Sequence, residues 1–248
     1  MVERLLILGG TAEAAALARA ATAAFGDALE VTTSLAGRLP DRPDLPGRLR
    51  VGGFGGADGL ASFLRAEQID RLIDATHPFA AVISRHAAEA CAQADVPRLV
   101  LIRAAWTQQP GDRWIDAGDL GHVAALLPGL ARRVFLATGP GGIEAFASVP
   151  GVWFLVRVFA PPAEPLPLPD HATIVARPPF TIAGETAMLE THRIEAVVTK
   201  NSGGPTEAKL AAARALALPV VMIRRPPAPP GGLVERVEDA LAWLARRQ

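Results

Sequence analysis

The run Asp74-Ala75-Thr76-His77-Pro78-Phe79-Ala80 places a carboxylate, a hydroxyl and an imidazole directly after the apolar run Arg71–Asp74. An imidazole at the end of a strand can hydrogen-bond a cofactor or donate a proton, which makes His77 a candidate catalytic residue beside Thr76. A second polar concentration, Thr199-Lys200-Asn201-Ser202-Gly203-Gly204, also follows an apolar run. Its cation, amide, hydroxyl and glycines, set ahead of a helix capped near Thr206, suit recognition of an anion or carboxylate. Lys200 and Lys209 are the two lysines of the chain, against 23 arginines (25 − 2). Lys209, one turn inside that helix, reads as solvated surface.

Three further loops are rich in glycine. Gly9-Gly10-Thr11-Ala12-Glu13 opens a helix, where bare backbone N–H groups and the helix N-terminus favour a phosphate. It is not G-x-G-x-x-G, since Ala12 and Ala14 hold the later positions, and an ordinary tight βα turn explains it equally well. No Walker A lysine follows, which excludes an ATP-hydrolysing P-loop. Ser34-Leu35-Ala36-Gly37-Arg38 falls where dinucleotide enzymes read the adenosine ribose. An acidic residue there favours the free 2′-OH and an arginine accommodates a 2′-phosphate, so Ser34 and Arg38 favour NADP over NAD. Gly52-Gly53-Phe54-Gly55-Gly56 lets a flat group or a phosphate lie against backbone, with Phe54 a stacking face or a core anchor.

Other chemistries are excluded by what the chain lacks. It has no tyrosine, so no Tyr-x-x-x-Lys pair, and its one cysteine, Cys91, leaves no internal disulfide and no thiolate cluster. The five histidines show no metal-ligand spacing, and no metal is expected. The 25 Lys+Arg balance 25 Asp+Glu, which argues against a nucleic-acid partner. No apolar run reaches membrane-spanning length, and the N-terminal one stops at Gly9-Gly10, too short for a signal peptide. A cytoplasmic chain, monomeric or weakly oligomeric, is the expectation.

These loops need strands and helices to hold them. With 248 residues, half of them apolar, the chain can bury one or two cores. Short apolar runs alternate with Ala-rich stretches of helical period, the pattern of βα units around a parallel sheet. Strands are predicted at Arg4–Leu8, Leu29–Thr33, Arg48–Val51, Arg71–Asp74 and Arg98–Arg103. Helices follow over Glu13–Ala24, from about Asp58 as N-cap, and over Ala81–Ala94. The plan then repeats at an offset near 125 residues: Arg133–Ala137, Trp153–Phe159, Thr173–Ala176, and Ile194–Arg224 in parallel with Ile69–Arg103. Pro226–Gly232 reads as a turn-rich break before a terminal helix, Val234–Arg246. The reading is two similar flavodoxin- or Rossmann-like α/β domains, residues 1–104 and 105–248, the first on the nucleotide side and the second on the substrate side.

Taken together, the five loop motifs resemble the precorrin-6A reductase family of corrin (cobalamin) biosynthesis. The resemblance runs from Leu5 to about Pro230 and is most specific in the loops at Gly52, Asp74 and Lys200. It implies two flavodoxin-like domains, pyridine nucleotide on the first and the macrocycle in the cleft between them. It further implies NADPH-dependent reduction of one double bond of precorrin-6A to precorrin-6B, or of cobalt-precorrin-6A in the anaerobic branch. Carried over residue by residue, Gly9, Gly10, Thr11 and Glu13 fall on the nucleotide turn. Ser34, Gly37 and Arg38 fall on the ribose loop, and Gly52, Gly53 and Phe54 on the next cofactor loop. Thr76 and His77 lie near the nicotinamide, and Lys200, Asn201 and Ser202 on the facing loop. Hydride transfer needs no protein nucleophile, only donor and acceptor carbons held close in a dry site. A macrocycle bearing many carboxylates needs cations, and Lys200, Arg157 and Arg177, at or near strand ends of the second half, are the candidates. The competing readings are another NAD(P)-dependent oxidoreductase of a small carbonyl and a two-lobed, non-catalytic binding protein.

Overall fold

The protein is described here by a computed structural model, which covers residues 2–37, 44–139, 141–162 and 164–246. The chain divides into two compact units, Met1–Ala104 with Pro226–Gln248, and Ala105–Arg225.

The first unit begins with β1 (Glu3–Leu8), α1 (Ala12–Phe25), β2 (Leu29–Leu35) and β3 (Arg48–Val51). It continues through α2 (Gly56–Ala66), β4 (Arg71–Asp74), α3 (Ala81–Ala94) and β5 (Arg98–Leu101). Successive residues of a strand face opposite sides of a sheet, and the two apolar layers follow from that. Leu5 and Ile7 of β1 pack with Leu17 and Ala21 of α1, while Leu6 and Leu8 pack with Leu60 and Leu64 of α2 and with Ala87 of α3. A strand buried on both faces is apolar throughout, which is why Leu5–Leu8 reads as a continuous run. Thr11 caps α1, its Oγ1 accepting from Ala14 N at 3.1 Å. α2 starts two residues before the expected Asp58, from Gly55 in the left-handed region, and Asp58 instead accepts from Gln93 Nε2 at 3.1 Å. Gly59 is required there, since a Cβ would meet the Phe54 carbonyl oxygen at 1.8 Å.

The second unit holds β6 (Arg113–Ala117), α4 (Leu120–Leu130), β7 (Arg133–Ala137), β8 (Trp153–Val158) and β9 (His171–Val175). It ends with α5 (Ile182–Thr191), β10 (Ala196–Lys200), α6 (Ala208–Ala215) and β11 (Pro219–Ile223). Phe135, Leu155, Val197 and Val220 pack on the α5–α6 side with Leu189, Leu210 and Ala213.

The chain then returns to the first unit through β12 (Gly232–Val234) and α7 (Val237–Ala245). β12 pairs with β5, and Ala240 and Leu244 join the α1 side of the core. The assignment of residues 226–248 to the second domain is therefore corrected: the apolar face of α7 completes a layer that α1 covers only in part.

Among the described residues every strand pair is parallel, and the two sheets run β3-β2-β1-β4-β5-β12 and β9-β8-β7-β10-β11-β6. The expected five strands recur in one order in both halves. That order is 3-2-1-4-5-6 of dinucleotide-binding sheets and not 2-1-3-4-5 of flavodoxin. The sixth strand was not expected in either sheet. In the second it precedes the repeat (β6), and in the first it comes from the end of the chain (β12).

Candidate functional site

In the first unit the strand order reverses beside β1. The chain runs outward through β2 and β3, then crosses back to β4, so the β1 and β4 loops splay apart at the sheet's carboxyl end. Thr11 Oγ1 bridges them, donating to Ala75 O at 2.7 Å. Gly10 has φ +107, and a Cβ at Gly10, Gly52 or Gly53 would meet nothing within 4 Å. Open backbone at the start of a 14-residue helix is what a pyrophosphate requires, so these residues fit a dinucleotide. Gly9 is a packing glycine, its Cβ position 3.1 Å from Thr33 Cγ2. Glu13, assigned to the cofactor by resemblance, pairs with Arg103 at 2.8 Å and joins the α1 and β5 ends.

The ribose loop begins with Ser34, which is buried, and passes through Gly37. Arg38 lies outside the described residues. Sequence reasoning missed Arg50, on β3 and paired in register with Ser34. Its guanidinium donates to Gly52 O at 2.6 Å and Gly53 O at 2.8 Å and lies 3.7 Å from the Phe54 ring centroid. Phe54 meets Phe63 edge-on at 5.2 Å and packs on the core, so it is an anchor whose other face carries Arg50.

Asp74 is buried at the end of β4, and its Oδ1 accepts from both Thr76 N (3.1 Å) and Thr76 Oγ1 (2.7 Å). His77 is exposed, and its Nδ1 accepts from Phe79 N at 3.2 Å, so the neutral ring carries its proton on Nε2. Thr76, His77 and Ser84 line a cavity of about 20 Å³ that Pro226–Pro229 closes on one side. The return segment thus borders the candidate nicotinamide side.

In the second unit Lys200 and Thr138 occupy the equivalent reversal between β10 and β7, with Lys200 Nζ donating to Thr138 O at 2.9 Å. Burial pushes the Lys200 ammonium below its usual pKa. Ser202 is half-buried in the same turn, its N–H donating to Lys200 O at 2.7 Å. Arg177 is exposed beyond β9, its Nε donating to Phe159 O at 3.1 Å, and Phe159 is itself half exposed.

Three assignments are corrected by what the side chains touch. Arg157 is buried, paired with Glu185 at 2.5 Å and close to the rings of Phe135 (4.8 Å) and Phe180 (4.1 Å), so its charge is committed within the unit. Asn201 is a splint, its Oδ1 accepting from Trp106 N at 2.8 Å and its Nδ2 donating to Trp106 O at 3.1 Å. Lys209 is buried rather than solvated, 4.4 Å from the Trp106 ring and donating to Thr206 O at 2.6 Å. Thr206 does not cap α6, which begins at Ala208 without a side-chain cap.

The family model described as precorrin-6x reductase CbiJ/CobK matches residues 4–245. The chain belongs to this family. It is 52% identical to a precorrin-6A reductase of Rhodococcus erythropolis over 97% of both chains. A solved structure of CobK precorrin-6A reductase matches with TM-score 0.91 and 45% identity, over 98% of this chain and 96% of that one. A cobalt-precorrin-6A reductase of Priestia megaterium is 26% identical over 98% of both chains. Membership in the CbiJ/CobK family makes the chain a reductase, and with the dinucleotide strand order it points to a nicotinamide cofactor as reductant.

Proposed function

We propose that this chain is a precorrin-6A reductase, using NADPH to reduce one carbon–carbon double bond of the macrocycle and give precorrin-6B. The observation that carries the reading is 52% identity to the Rhodococcus erythropolis precorrin-6A reductase over 97% of both chains. The metal-free substrate is preferred over the cobalt-containing one because the cobalt-precorrin relative stands at 26%.

The first unit holds the cofactor. Gly10, Thr11, Gly52 and Gly53 present backbone to its phosphates and flat rings, and Ser34 with Arg38 takes the 2′-phosphate of NADPH. The nicotinamide supplies a hydride when bound. Thr76 is fixed by Asp74 and holds the β4 loop in shape. His77, exposed beside Thr76, is the candidate proton donor to the second carbon. The second unit binds the substrate: Arg177 and Ser202 meet carboxylates, Phe159 meets the apolar ring, and Lys200 holds the turn and directs positive charge.

The test is incubation with precorrin-6A and NADPH, followed by mass and absorbance spectra. A gain of two hydrogens with loss of NADPH absorbance is expected, and an unchanged macrocycle sinks the reading. Roles are separated by affinity and rate. Lys200→Ala should lower turnover while NADPH affinity holds, and His77→Ala should lower turnover with macrocycle binding intact. If Lys200→Ala instead loses NADPH, the two units have exchanged roles.

A further inference from the structure

Arg50 is half-buried at the carboxyl end of β3, one strand outward from Ser34, and three of its N–H groups already have acceptors. Nη1 donates to Gly52 O (2.6 Å) and approaches Ser34 Oγ (3.4 Å), and Nη2 donates to Gly53 O (2.8 Å). Its plane lies against the Phe54 ring at 3.7 Å, with Phe63 at 5.2 Å. A guanidinium has five N–H donors, and among the described residues Nε–H and the second Nη2–H meet no acceptor. Half-burial leaves the cation only partly open to water. No carboxylate pairs with it among the described residues. The result is an arginine with a fixed plane, incomplete solvation and spare donors, on the strand next to the ribose-reading serine. A dianionic oxygen cluster satisfies all three conditions, because arginine donates to phosphate through parallel N–H groups.

We infer that Arg50 is a specificity-determining ligand of the adenosine 2′-phosphate, selecting NADPH over NADH together with Ser34. This rests on the reading that the first unit binds NADPH. The alternative role, a pin that only shapes the Gly52–Phe54 loop, affects both dinucleotides alike, since both carry the same adenine and pyrophosphate.

Calorimetric titration of the full chain with NADPH, NADH, 2′-phosphoadenosine 5′-phosphate and AMP separates these roles without any turnover. The unmodified chain should prefer NADPH, and the 2′-phosphorylated fragment over AMP. Arg50→Ala should weaken NADPH and the fragment by roughly 10- to 100-fold, as expected for loss of a charged hydrogen bond, and weaken NADH, which meets only the loop that Arg50 pins, far less. Arg50→Lys, which keeps the cation and disturbs folding less, should recover part of the NADPH loss. Equal losses for NADPH and NADH, or no loss for either, overturn the inference while the unmodified preference for NADPH still stands. No preference in the unmodified chain overturns the NADPH reading itself and the inference with it.

Discussion

The ammonium of Lys200 donates to the backbone carbonyl of Thr138 at 2.9 Å, tying the end of β10 to the loop after β7. At the same place in the first unit, Thr11 Oγ1 donates to Ala75 O at 2.7 Å and ties the β1 and β4 loops. Both units close their strand-order reversal with one side-chain donor on a carbonyl, one neutral and one charged. A neutral bridge suits a site that takes phosphates on backbone N–H groups. The charged bridge places the Lys200 ammonium where the strands of the second unit open, and this difference fits the proposed division of ligands between the duplicated units.

The half-buried Lys200 makes stability depend on alkaline pH. Its folded pKa is lowered by desolvation below the ordinary 10.5, so between those two values the unfolded chain holds a proton that the folded chain does not. Stability contributed by this group therefore rises with pH across that window. Urea unfolding at neutral pH and at about pH 10 should show a rise in the unmodified chain that Lys200→Met lacks. An identical pH response in the two would show that burial does not perturb this lysine.

Arg71 is the fastening of the returning segment. It is buried at the start of β4, pairs with Glu3 at 2.5 Å, and donates to the carbonyls of Trp243, Leu244 and Arg246 at the end of α7. Helix-terminal carbonyls without partners are costly to bury, and a cation there also meets the negative end of the helix dipole. Arg71→Ala should destabilise the protein by roughly 3 kcal/mol, and Arg71→Lys by less. Native-state hydrogen exchange should show α7 loosening first; a loss confined to the β1–β2 region would count against this attachment.

Much of this architecture is legible in the sequence because buried parallel strands are apolar on both faces. Leu5–Leu8, Leu72–Ile73 and Val197–Val198 announce themselves, and Ala81–Ala94 begins and ends as its pattern requires. The sixth strands do not, because β6 and β12 are short edges with exposed residues such as Arg113 and Leu233. Nor does the return of α7, since an amphipathic helix states that it has an apolar face but not which sheet receives it. Side-chain roles are the least legible. Arg157 and Arg177 look equivalent in the sequence, yet one is paired with Glu185 in the core and the other is exposed. Arg50 was hidden in a strand of alternating Arg and apolar residues, and only its register with Ser34 brings it to the site.

Cys91 should be chemically silent in the native protein. Burial pushes its thiol up to about 12, Asp74 adds to the rise and Arg98 opposes it, so almost no thiolate exists near neutral pH. A disulfide-exchange reagent should label it only when the chain unfolds, at a rate that tracks denaturant. Fast labelling of the folded protein would contradict its place in the α2–α3 layer.

The Arg157–Glu185 pair separates a structural charge from a ligand-binding one. Both side chains are nearly inaccessible, Arg157 lies 4.1 Å from the Phe180 ring and 4.8 Å from that of Phe135, and the pair spans β8 and the first turn of α5. Removing one partner leaves the other charge buried without compensation, which costs roughly 3–5 kcal/mol, whereas apolar replacement of both is often close to neutral. Arg157→Met alone should therefore lower stability by about that amount, and Glu185→Leu alone by a similar amount. The double variant should recover most of the loss, a coupling that only residues in contact display. If Arg157 served the substrate instead, the double variant would stay folded yet bind the macrocycle poorly. Denaturant midpoints for the four proteins, with macrocycle affinity measured on the folded double variant, decide between these outcomes. Recovered stability with unchanged affinity is the expected result, and it leaves Arg177 as the exposed arginine at the β8 and β9 ends to meet a carboxylate.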